Sequence, residues 1–166
     1  LFGTHQGRSL GTFGSFSTLS FHETKNFHCG EGGALVVNDP ETVERAHVLY
    51  DKGTNRRAFM LGEVDKYSWT DTGSSFGMSD LQAAFLFGQL EQRDHVLERR
   101  GHVDRMYREL LAEPSERFGF DLPMVPPDCE SAFHMFYLML PTHEVRDRVL
   151  DGCRDRGVQA TFHYVP

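Results

Sequence analysis

From Ser79 onward the sequence commits to helix for more than thirty residues, and the rest of the chain must be arranged around that rod. Ser79-Asp80-Leu81-Gln82 has the S-x-x-Q form of a capping box, in which side chain and backbone satisfy each other's exposed N–H groups. Leu81, Ala84, Phe85, Gly88, Val96, Val103, Tyr107 and Leu110 then supply apolar or small positions to about Ala112, and Pro114 is expected to end the helix. Gly88 and Gly101 are positions for close packing or a kink. Ahead of this rod, 16–21 and 34–37 read as strands. Asn38-Asp39-Pro40-Glu41 reads as a helix start capped by Asp39, leading into the stripe Val43, Ala46, Leu49 and Tyr50 and stopping near Gly53. Behind the rod, 132–140 reads as a strand. Thr142 opens a helix with Val145, Val149 and Cys153 on one face and Gly157 at its end. Val158, Ala160, Phe162 and Tyr164 then alternate as a last strand. The order β-β-α, long helix, β-α-β predicts an α/β piece joined to a smaller α+β piece, with the long helix as the joint. Residues 53–78 form a long polar loop whose Phe59, Tyr67 and Trp69 argue against disorder and for a retained purpose.

Composition narrows the function. The chain has 166 residues, enough to bury on the order of 70% of its unfolded surface, so no staple of disulfides or metal is needed. Lys and Arg total 17 against 24 Asp and Glu, a net charge of −7, which disfavours nucleic acid as a partner. No apolar run approaches the ~20 residues of a membrane helix. Cys29, Cys129 and Cys153 are odd in number and form no C-x-x-C pair, so a disulfide framework or zinc knuckle is not expected, and a reducing, cytoplasmic location is. The chain starts at Leu1 with no signal segment, and Phe162-His163-Tyr164-Val165-Pro166 reads as a strand running into a turn, so a fragment is expected.

Reactive side chains are densest in Ser20-Phe21-His22-Glu23-Thr24-Lys25-Asn26-Phe27-His28-Cys29-Gly30-Glu31-Gly32-Gly33. Four chemistries are open there. His22, Glu23, His28 and Cys29 are metal-ligating types, but the histidines are six apart on a glycine-rich stretch rather than four apart on a helix face. The glycines offer backbone N–H groups to a phosphate, without the G-K-[ST] ending of a P-loop. Cys29 beside His28 is a nucleophile pair in sequence only. Lys25, in a loop after a strand with Phe21 and Phe27 nearby, is a candidate imine-forming amine, and Ser20 at the strand end is a candidate phosphate contact. Taken alone, the residues favour reading Lys25 as a solvated surface charge, as most lysines are.

The string from Ser20 to Asn26, with Gly30-Glu31-Gly32-Gly33-Ala34, resembles the lysine motif of the DegT/StrS family of pyridoxal-phosphate sugar aminotransferases. The resemblance continues through Lys52-Gly53-Thr54-Asn55-Arg56, Val64-Asp65-Lys66-Tyr67-Ser68-Trp69, Gly73-Ser74-Ser75-Phe76, Met78-Ser79-Asp80-Leu81-Gln82-Ala83-Ala84 and the last five residues. The GTNR and VDKYxW blocks look most like the branch of dTDP-4-amino-4,6-dideoxygalactose transaminases.

The resemblance implies an α/β fold: part of a fold type I aminotransferase, with residues 1–80 ending the large cofactor-binding domain and 81–166 giving the joining helix and part of the small domain. It implies pyridoxal 5′-phosphate held covalently by Lys25, which also shuttles the proton, and a phosphate contact from Ser20. Many relatives place an Asn before the [ML]-[TS]-D step to reach the neighbouring subunit's phosphate. Gly77 stands there in this chain, so Ser75 or backbone N–H groups are the substitutes. Asn55, Arg56, Tyr67 and His163 are the candidate substrate contacts. The Asp that pairs with the pyridinium belongs upstream of Leu1, so the isolated chain is expected to lack a complete cofactor site. The implied reaction moves an amino group from L-glutamate to a nucleotide-linked 4-keto-6-deoxysugar, in a homodimer with shared active sites. The alternatives are a sugar dehydratase on the same scaffold, in which His replaces the lysine, and a non-catalytic or truncated relative.

Overall fold

A computed structural model of the chain describes residues 1–163. Among the described residues there are two small antiparallel sheets and five α-helices. The first sheet has the order β2-β1-β5, from Arg8–Ser9, Thr4–His5 and Cys129–Glu130; it joins the start of the chain to a segment 124 residues later. The second is the pair β3 (Phe16–Ser20) and β4 (Gly33–Val37), in register from Phe16 opposite Val37 to Ser20 opposite Gly33.

The helix signals act locally, as their chemistry demands. Asp39 accepts from the Glu41 N–H at 3.0 Å and caps a 3-10 turn, Pro40–Thr42, that runs into α1 (Val43–Tyr50). Ser79 and Gln82 form the complete capping box of α3 (Asp80–Glu91). Thr142 caps α5 (His143–Asp155), with Gly157 just beyond it in the left-handed region. The loop at 53–78 contains a short α2 (Arg56–Met60), and its ends are drawn together by two glycines. Gly53 has φ +75°, and a Cβ on it would lie 1.8 Å from the Asp71 carbonyl oxygen; one on Gly73 would lie 2.2 Å from the Gly53 nitrogen. Only glycine lets these two backbones meet.

The structure corrects the sequence reading in four places. The long rod is two helices. Gln92, outside helical geometry at ψ 16°, separates α3 from α4 (Arg93–Phe118). Pro114 does not end the helix. It lies inside α4, which closes at Gly119 with φ +68°. The carbonyl that Pro114 cannot pair belongs to Leu110, a residue 69% exposed. Nor is 132–140 a strand: apart from the isolated pairing of Met139 with Asp121 it has no ladder among the described residues, and side chains hold its first three carbonyls. Arg100 on α4 donates to the carbonyls of Phe133 (2.7 Å) and His134 (2.5 Å), and Asn26 donates to that of Ala132 (2.6 Å). Phe133 itself has φ +51° and packs its ring over Gly101, which breaks any ladder at that point. Residues 158–163 form no strand either, having no ladder partner among the described residues; Tyr164 lies outside them.

The core is a small cluster of Phe21, Phe27, Cys29 and Leu86, flanked by Phe2, Leu19, Met78, Leu90, Val96 and Leu97. It lies under the segment that carries Lys25. No helix among the described residues is long and apolar enough to cross a membrane.

Candidate active site

The segment between β3 and β4 continues their antiparallel pairing without regular strand geometry. Phe21 N–H donates to Gly32, Glu23 N–H to Gly30 and Cys29 N–H to Phe21, each at 2.8–2.9 Å. At its tip a turn, closed by Lys25 N–H on the His22 carbonyl, points residues 22–25 away from the core. Phe21 and Phe27 on either side are buried, so the turn is anchored at both shoulders. Helix α3 fixes it further. Gln82 donates to the Glu31 carbonyl at 2.8 Å. Gln89 donates to the His28 carbonyl at 2.6 Å and accepts from its N–H at 3.2 Å. Leu86 lies between the two glutamines on the same helix face and joins the core.

This anchoring leaves a cleft of about 270 Å3 lined by Leu1, Thr18, Leu19, Ser20, Lys25, Asn26, Phe27, Ala132 and His134. Lys25 is the only one of the chain's three lysines on it; the others are Lys52 and Lys66. Ser20, at the end of β3, accepts from the His22 N–H at 3.4 Å, so its hydroxyl stands at the cleft rim beside the lysine turn. His134 enters from the far side of the sequence. Its Nδ1 is 3.1 Å from Asn26 Oδ1, and its backbone is gripped by Arg100. Burial, first, and then the positive charges of Lys25, Arg100 and His163 push the His134 imidazole below its ordinary value, favouring the neutral ring. Burial likewise lowers the Arg100 guanidinium. An amine, a hydroxyl and a neutral imidazole over the apolar wall of Leu1, Leu19 and Phe27 form a donor set that fits a phosphorylated aromatic aldehyde held through the amine.

The other expected site residues lie elsewhere. Asn55 uses its whole side-chain amide within its own loop, donating to the Lys66 carbonyl (2.9 Å) and accepting from the Ser68 N–H (2.8 Å). Arg56 is exposed, 3.8 Å from Asp51. Tyr67 lies in a row of rings with Phe59 and Trp69, at centroid separations of 6.2 and 6.1 Å. Ser75 pairs with Asp51 in an isolated bridge, and neither it nor His163 lines the cleft. Cys29 is buried and donates to the Glu31 carbonyl at 3.4 Å, which makes it a core residue rather than a partner of His28. His22, Glu23, His28 and Cys29 do not converge as metal ligands. His134 was not among the expected site residues. Nothing in its local spacing marks it, because the contact that brings it to the cleft spans 108 residues.

The model of the DegT/DnrJ/EryC1/StrS aminotransferase family matches residues 2–166. The chain belongs to this family. Members of the family depend on pyridoxal phosphate. Among the similar curated proteins, dTDP-3-amino-3,4,6-trideoxy-alpha-D-glucose transaminase of Streptomyces venezuelae is 31% identical over 161 residues, covering 96% of this chain and 38% of the relative. The dTDP-4-dehydro-2,3,6-trideoxy-D-glucose 4-aminotransferase of Saccharopolyspora spinosa is 29% identical, covering 96% and 42%. Among solved structures, S. venezuelae DesV in complex with a ketimine intermediate superimposes with TM-score 0.81 at 32% identity. It is matched over 99% of this chain and 41% of its own. The aminotransferase TlmJ from Streptoalloteichus hindustanus gives 0.82 at 29% identity, over 99% and 42%. The chain thus spans about two fifths of the length of its relatives and is part of the pyridoxal-phosphate aminotransferase fold.

Proposed function

We propose that this chain is the lysine-bearing part of an aminotransferase that moves an amino group from L-glutamate to a nucleotide-linked 4-keto-6-deoxysugar, in the manner of dTDP-4-amino-4,6-dideoxygalactose transaminases. The reading rests on one observation above the rest: in a chain of this family, Lys25 is the only lysine on the cleft, and it shares that cleft with Ser20. Residues 1–80 are assigned to the large cofactor-binding domain, and 81–166 to the joining helix and part of the small domain. The assembly is a cytoplasmic homodimer in which the 53–78 loop, with Arg56, Tyr67 and Trp69, faces the partner's site, and Ser75 contacts the phosphate there. Asn55 supports substrate contact by holding that loop in shape, and His163 approaches the substrate from the end of the chain.

Within this reading the chain's residues divide the work. Pyridoxal phosphate supplies the electron sink when bound. Ser20 binds its phosphate through the hydroxyl. Nζ of Lys25 fixes the cofactor and, once released, holds the proton that must leave one carbon and reach another, acting as base and then acid. The neutral His134 raises no barrier of like charge against the lysine proton. Transamination is favoured over dehydration by the sugar-dehydratase branch because position 25 is Lys and not His.

The test is borohydride reduction of the full-length protein followed by peptide mapping. The expected result is a visible absorption band that disappears on reduction, with the adduct on Lys25. An adduct on Lys52, Lys66 or a lysine outside this chain overturns the assignment.

A further inference from the structure

We propose that His5, Asp128 and Cys129 bind a zinc ion on the first sheet. Among the described residues they are the one group of three side chains of metal-ligating type whose donor atoms all lie within 4.8 Å of one another. None of them lines the Lys25 cleft.

The backbone builds the site. His5 stands opposite Cys129 in the β1–β5 register, and the next residue, Gln6, donates its N–H to the Asp128 carbonyl at 2.6 Å. Thr4 donates to the Glu130 carboxylate at 2.9 Å and holds the adjoining pair. His5 and Cys129 are therefore fixed by paired strands, and Asp128 by the Gln6 bond to its carbonyl in the turn that leads into β5.

The distances match a metal tetrahedron. Bond lengths of about 2.0–2.1 Å to nitrogen, 2.3 Å to sulfur and 2.0–2.2 Å to oxygen require ligand–ligand edges of about 3.5 Å for N···S, 3.4 Å for N···O and 3.6 Å for S···O. His5 Nδ1 lies 3.4 Å from Cys129 Sγ and 3.4 Å from Asp128 Oδ2, and Cys129 Sγ lies 3.9 Å from Asp128 Oδ1. The two edges from His5 Nδ1 are already at this length, and all three donor atoms lie within 4.8 Å of one another.

Ligand chemistry selects the ion. One thiolate, one imidazole and one carboxylate suit zinc; magnesium and calcium require oxygen shells. On binding, the Cys129 thiol proton passes to solvent, and a water completes the fourth corner. Gln6 Nε2 donates to Asp128 Oδ2 at 3.2 Å and so orients the carboxylate. The ion would tie the first residues of the chain to the segment beyond α4, which is otherwise held there by few backbone pairs.

The test uses the full-length protein and zinc alone, titrated against a chromophoric chelator. One equivalent should bind to the wild type and to Lys25→Ala, and be lost in His5→Ala and Cys129→Ser. Gln6→Ala should weaken binding by about 10–100-fold, the usual effect of removing a group that orients a ligand. In the wild type, zinc should protect Cys129 from alkylation, read by peptide mass, so the proposal stands or falls even where a variant fails to fold. Equal binding by wild type and both ligand variants overturns it, as does alkylation of Cys129 at the same rate with and without zinc. None of these readouts depends on transamination.

Discussion

Residues 21–32 and residues 53–78 are both irregular, rich in glycine and aromatic, but they place their rings in opposite environments. The first segment turns Phe21 and Phe27 into the core and offers a polar turn to a cleft. The second is stitched as firmly in its backbone, by the Gly53–Gly73 contact and by the Asn55 amide. Its rings nevertheless point outward, with Trp69 73% and Phe76 67% exposed. A segment that is ordered while its aromatics stay uncovered is shaped to meet another surface, whereas one that buries its own aromatics is shaped to hold a pocket. Under the proposed function the first stretch would serve a small molecule and the second a protein surface.

That contrast is broken most severely by complementation. Lys25→Ala and Arg56→Ala should each inactivate the full-length enzyme. A mixture should recover on the order of a quarter of wild-type activity at equal proportions, since each mixed dimer keeps one intact site. No recovery, where mixed dimers demonstrably form, would mean that the loop serves its own subunit. Next in size, Phe27→Ala should cost about 3–5 kcal/mol in denaturant unfolding, because the ring is 2% exposed and edge-on to Phe2 at 5.1 Å. A loss below about 1 kcal/mol would place the core elsewhere.

The pH dependence sharpens the pocket side of the comparison. His134 has a lowered folded-state pKa, so between that value and the unfolded value near 6.5 the unfolded chain binds more protons. Its neutral form is accommodated in full above about 6.5. Stability is then lost as pH falls through the folded value. His134→Gln should flatten the decline in thermal midpoint between neutral and mildly acid pH; an unchanged slope would show that the ring titrates freely. The smallest expected effect lies on the loop. Trp69→Ala should change subunit stability by no more than about 0.5 kcal/mol while weakening self-association, measured by sedimentation. A large stability loss with association intact would reverse the assignment.

What the sequence made legible follows the range of the interactions. Asp39, Ser79 and Thr142 cap helices through bonds to N–H groups two or three residues away, so their patterns are visible locally. The lysine motif is likewise one continuous stretch, and the fold class and family follow from it. The break at Gln92 and the survival of the helix past Pro114 were not visible, since tertiary packing and solvent exposure decide them. The pairing of β1 with β5, the docking of 132–134 by Arg100 and Asn26, and the arrival of His134 at the cleft join residues tens to more than a hundred positions apart. No periodicity encodes such contacts. Asn55 shows the converse. Its place in a motif marked it as important, but its bonds show that the importance lies in the loop's shape.

Gly101 carries no reactive group, yet it acts as a spacer for one that does. A Cβ there would stand 3.0 Å from the Phe133 ring. Phe133 is held by Arg100 one residue earlier on the same helix, and it is the immediate neighbour of His134. The thickness of the side chain at position 101 therefore sets how close the 132–134 segment rides to α4, and with it how far the imidazole reaches into the cleft. A helix position that does not line the cleft thus serves as an adjustment point for its width, open to change by a single methyl group without altering any residue that lines it.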